Sequence, residues 1–207
     1  MPADCSYPLL PLLSLLYTPC SHQEVMLLSG YLTRAILLSI VLLVLARERT
    51  GIEALTAAFP WMDRPEPLWL AVGALAGAVL ATAARLYLRG LVLLRIRTPA
   101  RRDLPRHPAV LALVAILVGP IVEEAMVRGY LMGGLLLPVW GTTGALFLSA
   151  LVFGAAHPLP SIPWAAACGL ILGLLTFVSG SIWPAVIAHA AVNGWATVRL
   201  LQARNNR

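Results

Sequence analysis

Lysine is absent from this sequence, and all 15 of its Lys/Arg positions are arginine. Charged residues of any kind make up only 12% of the 207 residues, about half the share that is usual in soluble domains. Hydrophobic residues account for 59% of the chain, and the mean hydropathy is +0.83. The scarcity of charge excludes an ordinary soluble domain, and we expect an all-α fold, a polytopic transmembrane helical bundle.

Cysteine is also scarce, with Cys5, Cys20 and Cys168 as the 3 positions. Their number is odd and their spacing fits no metal-binding pattern, so we expect neither a disulfide framework nor a cysteine metal centre. The sequence contains no internal repeat and no low-complexity tract. We therefore interpret residues 1–207 as a single integral membrane domain.

The net charge is +6 at pH 7. The arginines that produce it are clustered as expected for a membrane protein. Seven arginines fall within residues 85–106, and three more follow at Arg199, Arg204 and Arg207. Basic clusters beside apolar spans mark the cytoplasmic side and contact anionic lipid head groups. No aromatic-interleaved basic surface accompanies them, so we expect membrane lipids and no nucleic acid as partners. We predict a multi-pass protein of the cell inner (cytoplasmic) membrane, and the compact, all-arginine chain favours a bacterial origin.

Apolar stretches of about 20 residues predict about six spanning helices. An apolar N-terminal segment, 8–17, would raise the number of segments to seven or eight. Gly119-Pro120 is expected to kink the third span or to open it locally. The predicted spans are 25–46, 68–87, one that begins near Pro108, 141–156, 162–178 and 182–200, with a basic linker at 85–106.

Formal charge is almost missing from the C-terminal half of the chain. Between His107 and Arg199 the charged residues are Glu123, Glu124 and Arg128, all within six positions. A charge near the middle of a bilayer costs about 2.5–3.5 kcal/mol on insertion scales, so it is rarely present without a partner and a purpose. Two histidines, His157 and His189, lie in the same apolar region. Together these five groups indicate a buried reaction site.

Helical spacing separates the two acids. Glu124 and Arg128 stand four residues apart with the acid first, the order that favours a helical ion pair. Glu123 is turned by about 100° around the helix and cannot share that face. We therefore predict that Glu124 and Arg128 form a neutralised pair that holds the helix in place, while Glu123 is available for chemistry.

Two further spans add polar side chains at helical spacing. His157 follows Phe153 by four residues, and His189 and Asn193 are also four apart. A carboxylate and an imidazole can jointly deprotonate a water molecule. A second imidazole N–H and a carboxamide N–H can stabilise the oxyanion that forms when this water attacks a carbonyl. These residues form a hydrolytic set that requires no serine or cysteine nucleophile.

Three other interpretations of the same residues stay open. Glu123, His157 and His189 could hold a catalytic zinc as three ligands, although no H-E-x-x-H motif is present. The residues could instead belong to a non-catalytic membrane scaffold or immunity protein. A proton-coupled carrier could also use buried Glu and His, but the lack of inverted repeats and the small size argue against a carrier.

The motifs resemble those of the CAAX protease and bacteriocin-processing family of intramembrane proteases, also called the CPBP or Abi family. Its first motif is similar to Glu123-Glu124-x-x-x-Arg128-Gly129, its second to Phe153-x-x-x-His157 and its third to His189-x-x-x-Asn193. Ser181-Ile-Trp183-Pro184 is similar to the family's lead-in to the third motif. The resemblance covers about residues 108–198, with the motifs in the family's order.

The resemblance implies a helical bundle whose site lies in a cavity open towards one membrane face. It implies that Glu123 is the catalytic base, that His157 helps to activate water, and that His189 and Asn193 form the oxyanion site. Glu124 and Arg128 would be supporting residues. We expect no metal or cofactor, with zinc as the alternative given above. The substrate would be a membrane-anchored or lipid-linked protein. We accordingly divide the chain into N-terminal helices with a basic linker, 1–107, and a catalytic core, 108–198.

Overall fold

The computed structural model describes residues 59–94, 112–157 and 159–205. All of these residues lie within one compact unit, Val41–Arg207. They form helices and turns, and this part of the chain contains no strand, which confirms the all-helical prediction. The predicted span at 25–46 lies outside the described residues and stays a prediction.

The described part consists of five helices and two short 3-10 turns. The turns are Phe59–Met62 and Leu159–Ser161. The helices are α1, Pro67–Leu93; α2, built from Val114–Val118, Gly119–Glu124 and Ala125–Leu136; α3, Leu137–Ala155; α4, Ile162–Ser179; and α5, Trp183–Asn205.

Helix α2 changes its winding on both sides of the two glutamates. Its outer segments, Val114–Val118 and Ala125–Leu136, are π-helical, and Gly119–Glu124 between them is α-helical. The backbone remains helical at Gly119 (φ −56°, ψ −58°). The opening predicted at Gly119-Pro120 is therefore a change of helix type. Interruptions of this kind occur frequently at functional sites.

Proline and glycine set the helix ends and the reversals. Pro67, Pro138 and Pro163 lie in the first turns of α1, α3 and α4, where the missing N–H costs no helical hydrogen bond. Gly180 ends α4 in the left-handed conformation (φ 66°), which favours glycine. Gly141 has φ 63° and interrupts the helical geometry of α3, so regular winding starts where the span at 141–156 was predicted.

Three helical runs within the described residues are long and apolar enough to cross a membrane: Pro67–Leu93, Val114–Ala155 and Ile162–Ser179. The second run has 42 residues and includes both α2 and α3; a straight helix of that length would measure about twice the 30 Å hydrocarbon core. The chain is thus a multi-pass membrane protein, as predicted. The count of six spans is not confirmed.

Two predicted boundaries differ from the structure. Helix α1 continues to Leu93, so Arg85 and Arg89 belong to this helix and not to the predicted basic linker. The predicted span at 182–200 does form a helix, α5, but α5 is not among the runs that are apolar enough to cross a membrane. Its polar residues lower its hydropathy, and it packs along the candidate span α1.

Helices α1 and α5 pack in parallel through small residues. A Cβ on Gly73 would overlap the carbonyl oxygen of Pro184, and Gly77 is similarly enclosed. Further along both helices, Cζ of Arg85 lies 5.5 Å from the ring centroid of Trp195. Close approach through glycine is typical of membrane helices. Arg85 and Arg89 on α1 and Arg199 on α5 therefore lie at one end of the bundle, which we call the arginine end.

Trp61 packs at the end of the bundle opposite the arginine end. The carbonyl oxygen of Trp61 accepts a hydrogen bond from the backbone N–H of Ile182 (2.7 Å). The Trp61 indole covers Gly133, where a Cβ would lie 2.5 Å from the indole nitrogen. The Ser181 hydroxyl donates to the carbonyl oxygen of Asp63 (2.7 Å). The segment before α1 is thus attached to the turn between α4 and α5.

Candidate active site

The predicted ion pair between Glu124 and Arg128 lies at the centre of the bundle. Both side chains are completely buried, and Oε2 of Glu124 faces Nε of Arg128 at 3.1 Å without hydrogen-bond alignment. Nη1 of Arg128 donates to Oε1 of Glu124 over 3.3 Å. Burying two charges is costly unless they are paired closely, so each of these residues depends on the other.

Arg128 also connects α2 to two other helices. Its Nη2 donates to the carbonyl oxygen of Gly169 on α4 (2.9 Å). Its Cζ lies 4.5 Å from the ring centroid of Phe153 on α3, within the range of a cation–π interaction. The guanidinium therefore fixes the packing of three helices around the site.

Glu124 makes a second contact that sequence spacing did not reveal. Its Oε1 lies 2.8 Å from Nδ1 of His189 on α5, and both side chains are buried. When the carboxyl group of Glu124 is ionised it can only accept a hydrogen bond, and Nδ1 of His189 is then the donor. Glu124 therefore links the Arg128 guanidinium to the His189 imidazole.

Glu123 takes the other face of α2, as the helical spacing predicted. Its side chain is 47% exposed, whereas that of Glu124 is completely buried. Even so, Oε2 of Glu123 lies 3.9 Å from Nε2 of His189. The two carboxylates therefore lie near the same imidazole, Glu124 at Nδ1 and Glu123 at Nε2.

His157 and Phe153 stand together at the end of α3. Nδ1 of His157 is 2.8 Å from the carbonyl oxygen of Phe153, and the two ring centroids are 4.9 Å apart. The Phe153 ring also meets the His189 ring edge-on, at 5.5 Å and 84°. Phe153 therefore contacts both histidines and sets their orientations through packing.

Asn193 connects α5 to α2 through a hydrogen bond. Its Nδ2 donates to the carbonyl oxygen of Ala115 (2.9 Å). A carboxamide nitrogen carries two N–H groups, and this contact uses one of them. Asn193 and His189 lie on the same face of α5, as predicted from their spacing, and line the same cavity.

A cavity of about 220 Å³ connects these residues. Three of the four predicted catalytic side chains, His157, His189 and Asn193, lie on its wall, and Glu123 adjoins the wall through His189. Among the aromatic residues of the wall, the sequence motifs mark Phe153 but not Tyr87, Trp164 or Trp195. The remaining lining is mainly apolar and aromatic, and includes Leu80, Tyr87, Trp164, Leu172, Val192 and Trp195.

The zinc interpretation needs three ligands close together. Within 59–94, 112–157 and 159–205, no group of three or more His, Cys, Asp and Glu side chains is arranged to hold a metal ion. Glu123 and His189 lie within reach of each other, and His157 lies on the same cavity wall as His189.

The comparison with family models gives a match over this region. Residues 105–195 match the family described as type II CAAX prenyl endopeptidase Rce1-like. The match includes all six predicted site residues and confirms the resemblance to the CAAX protease family. It indicates a membrane protease of the CAAX prenyl endopeptidase type. Comparisons with curated proteins and with solved structures give no significant match.

Proposed function

We propose that this chain is an intramembrane endopeptidase, on the premise that the CAAX-endopeptidase-like segment 105–195 carries the reaction. It hydrolyses a peptide bond of a membrane-anchored or lipid-linked protein. The observation that carries the proposal is the meeting of two carboxylates with His189 at the wall of a cavity. The catalytic set consists of Glu123, His157, His189 and Asn193, with Glu124 and Arg128 as supporting residues.

This set contains the groups that a water-mediated hydrolysis requires. A carboxylate and an imidazole next to one water molecule take up its proton while the oxygen attacks the peptide carbonyl. Polar hydrogens on the cavity wall stabilise the oxyanion that develops. The reaction then needs neither a covalent enzyme intermediate nor a metal or other cofactor.

The cavity fits a segment of substrate rather than a folded domain. Its volume of about 220 Å³ is slightly below the range of typical ligand pockets. Apolar side chains such as Leu80, Leu172 and Val192 form much of its wall. An extended peptide next to its membrane anchor, or part of a lipid chain, matches this size and polarity.

The arginines favour one orientation in the membrane. Arg85, Arg89 and Arg199 lie at the arginine end, and His157 lines the cavity together with Tyr87 from the same end of α1. Arginine-rich ends of spans face the cytoplasm. We therefore place the cavity near the cytoplasmic side of a bacterial inner membrane, and the substrate reaches it from that side.

Reconstitution with defined peptides tests the proposal. The purified chain in liposomes would receive a peptide with a C-terminal prenylated cysteine motif and, separately, an unprenylated peptide with a transmembrane anchor. We expect the wild type and Ser149→Ala, a buried control that does not line the cavity, to release the same fragment, and Glu123→Gln to release none. Equal cleavage by Glu123→Gln would reject the proposed base.

A further inference from the structure

We propose that Arg85 on α1 and Arg199 on α5, together with Trp195, form a binding site for the phosphate group of an anionic phospholipid. The site lies outside the proposed catalytic set and goes beyond the proposed function. Arginines at the ends of spans indicate only which side of the membrane is cytoplasmic. Here two particular arginines, and not the neighbouring Arg89, hold one lipid.

The indole of Trp195 brings the two guanidinium groups together. Cζ of Arg85 lies 5.5 Å from the centroid of this ring, and Cζ of Arg199 lies 5.6 Å from it. Both distances are within the range of a cation–π interaction. Because the arginines belong to different helices, one ring collects a cation from each helix. The two like charges repel each other, and an anion bound to both removes the repulsion.

No carboxylate of the described residues neutralises this arginine pair. The acids within 59–94, 112–157 and 159–205 are Asp63, Glu66, Glu123 and Glu124. The first two precede α1 at the opposite end of the bundle, and the other two belong to the active-site cluster on α2. None of these acids forms an ion pair with Arg85 or Arg199. Within the described part of the chain, the two charges are therefore available to an anion from outside.

The surroundings of the two arginines favour a lipid as the source of this anion. Both side chains are exposed, and neither lines the cavity. Their sequence neighbours Leu86 and Val198 are 63% and 50% exposed, as expected for surfaces that contact lipid tails. Arginine side chains near the end of a span reach the head groups, and a guanidinium binds phosphate through paired hydrogen bonds. An anionic phospholipid thus matches both the charge and the apolar surface.

Trp195 connects the lipid site to the cavity. Its ring contacts both arginines, and the same residue lines the cavity together with His189 and Asn193 of α5. A phosphate bound to both arginines restricts the motion of Trp195. A substrate then has less ordering of the cavity wall to complete when it binds. We therefore expect the lipid to lower the KM of peptide cleavage, a consequence that rests on the proposed function.

Fluorescence quenching by brominated lipids tests the site without a substrate. The purified full chain in phosphatidylcholine liposomes would receive increasing amounts of dibrominated phosphatidylglycerol or, in parallel, of dibrominated phosphatidylcholine. Bromine quenches the tryptophans that the lipid contacts, and Trp195→Phe gives the signal of the other tryptophans. We expect phosphatidylglycerol to quench the wild type at lower concentration than phosphatidylcholine, with this difference absent in Trp195→Phe. Equal quenching by the two lipids would overturn the proposal.

Arg89 provides the matched control for the two arginines. It is exposed on α1 one turn beyond Arg85, and it has no ring contact with the described residues. We expect Arg85→Gln and Arg199→Gln each to weaken phosphatidylglycerol binding about fivefold, the usual contribution of one arginine at an anionic surface, and Arg89→Gln to weaken it less than about twofold. An equal loss in Arg89→Gln would show a response to surface charge alone and would overturn the site. The melting temperature in pure phosphatidylcholine reports whether each variant folds.

Peptide cleavage tests the link between the lipid and the cavity. We expect phosphatidylglycerol to lower the KM of the wild type and of Arg89→Gln by about 2–10-fold relative to pure phosphatidylcholine. The KM of Arg85→Gln/Arg199→Gln should not respond to this lipid, and an equal response in the double variant would overturn the link. If the wild type cleaves no peptide in either lipid, the proposed function fails. The quenching result still decides whether the lipid site exists.

Discussion

Glu124 on α2 and His189 on α5 are separated by 65 positions in the sequence, yet Oε1 of Glu124 and Nδ1 of His189 are 2.8 Å apart in the folded protein. The acid that the sequence assigned to an ion pair with Arg128 therefore has two partners. It neutralises a buried guanidinium and orients an imidazole of the cavity wall. The proposed supporting and catalytic groups therefore form one connected cluster.

Replacement of Glu123 separates catalysis from stability. Its side chain is about half exposed and takes no part in the buried ion pair, so we expect Glu123→Gln to fold with an unchanged melting temperature. Loss of the base lowers kcat by about 10²–10⁴-fold. Peptide cleavage and thermal unfolding, both in liposomes, provide the two readouts. A kcat within threefold of the wild type would contradict the role of Glu123.

Replacement of Arg128 has the opposite pattern, with a large effect on stability. Arg128→Met leaves Glu124 buried without its cation, and removal of one partner of a buried pair costs about 3–5 kcal/mol. The free energy of unfolding is the measurement. We expect Glu124→Gln/Arg128→Met to recover part of the loss, because the double variant buries no formal charge at these positions. A double variant less stable than Arg128→Met would argue against ionic coupling.

Two glycines of α1 form a matched test of its packing on α5. A methyl group on Gly73 would meet the backbone of Pro184, whereas nothing lies within 4 Å of a Cβ on Gly90. We expect Gly73→Ala to destabilise the protein by about 1–3 kcal/mol through overpacking. Gly90→Ala should stabilise α1 by about 0.4–1 kcal/mol. Equal effects on the unfolding free energy would show that α1 does not pack on α5 in this way.

Chelation tests whether the reaction depends on a metal. We expect a strong zinc chelator to leave the cleavage rate unchanged, because Glu123 and an imidazole are sufficient to activate water. Dialysis against the chelator, followed by an assay with and without added zinc, is the measurement. Loss of activity that zinc restores would favour the three-ligand zinc interpretation, with Glu123, His157 and His189 as ligands.

Sequence spacing predicted the contacts that lie within a single helix. The ion pair of Glu124 with Arg128 and the placement of His157 next to Phe153 follow from residues four positions apart. The contact between Glu124 and His189 depends on how α2 and α5 are rotated against each other, which no single-helix pattern records. The end of α1 at Leu93 was also missed, because apolar residues between the arginines extend the helix beyond the predicted span.

The proposed endopeptidase activity is tested most directly by mass spectrometry of membrane-protein termini. Host cells that carry the wild type would be compared with cells that carry Glu123→Gln at the same expression level. We expect at least one new terminus that is present with the wild type and absent with the variant, and the parent protein of that terminus is the substrate. Identical sets of termini, in a host in which deletion of the gene has a phenotype, would contradict the endopeptidase proposal and favour a non-catalytic scaffold.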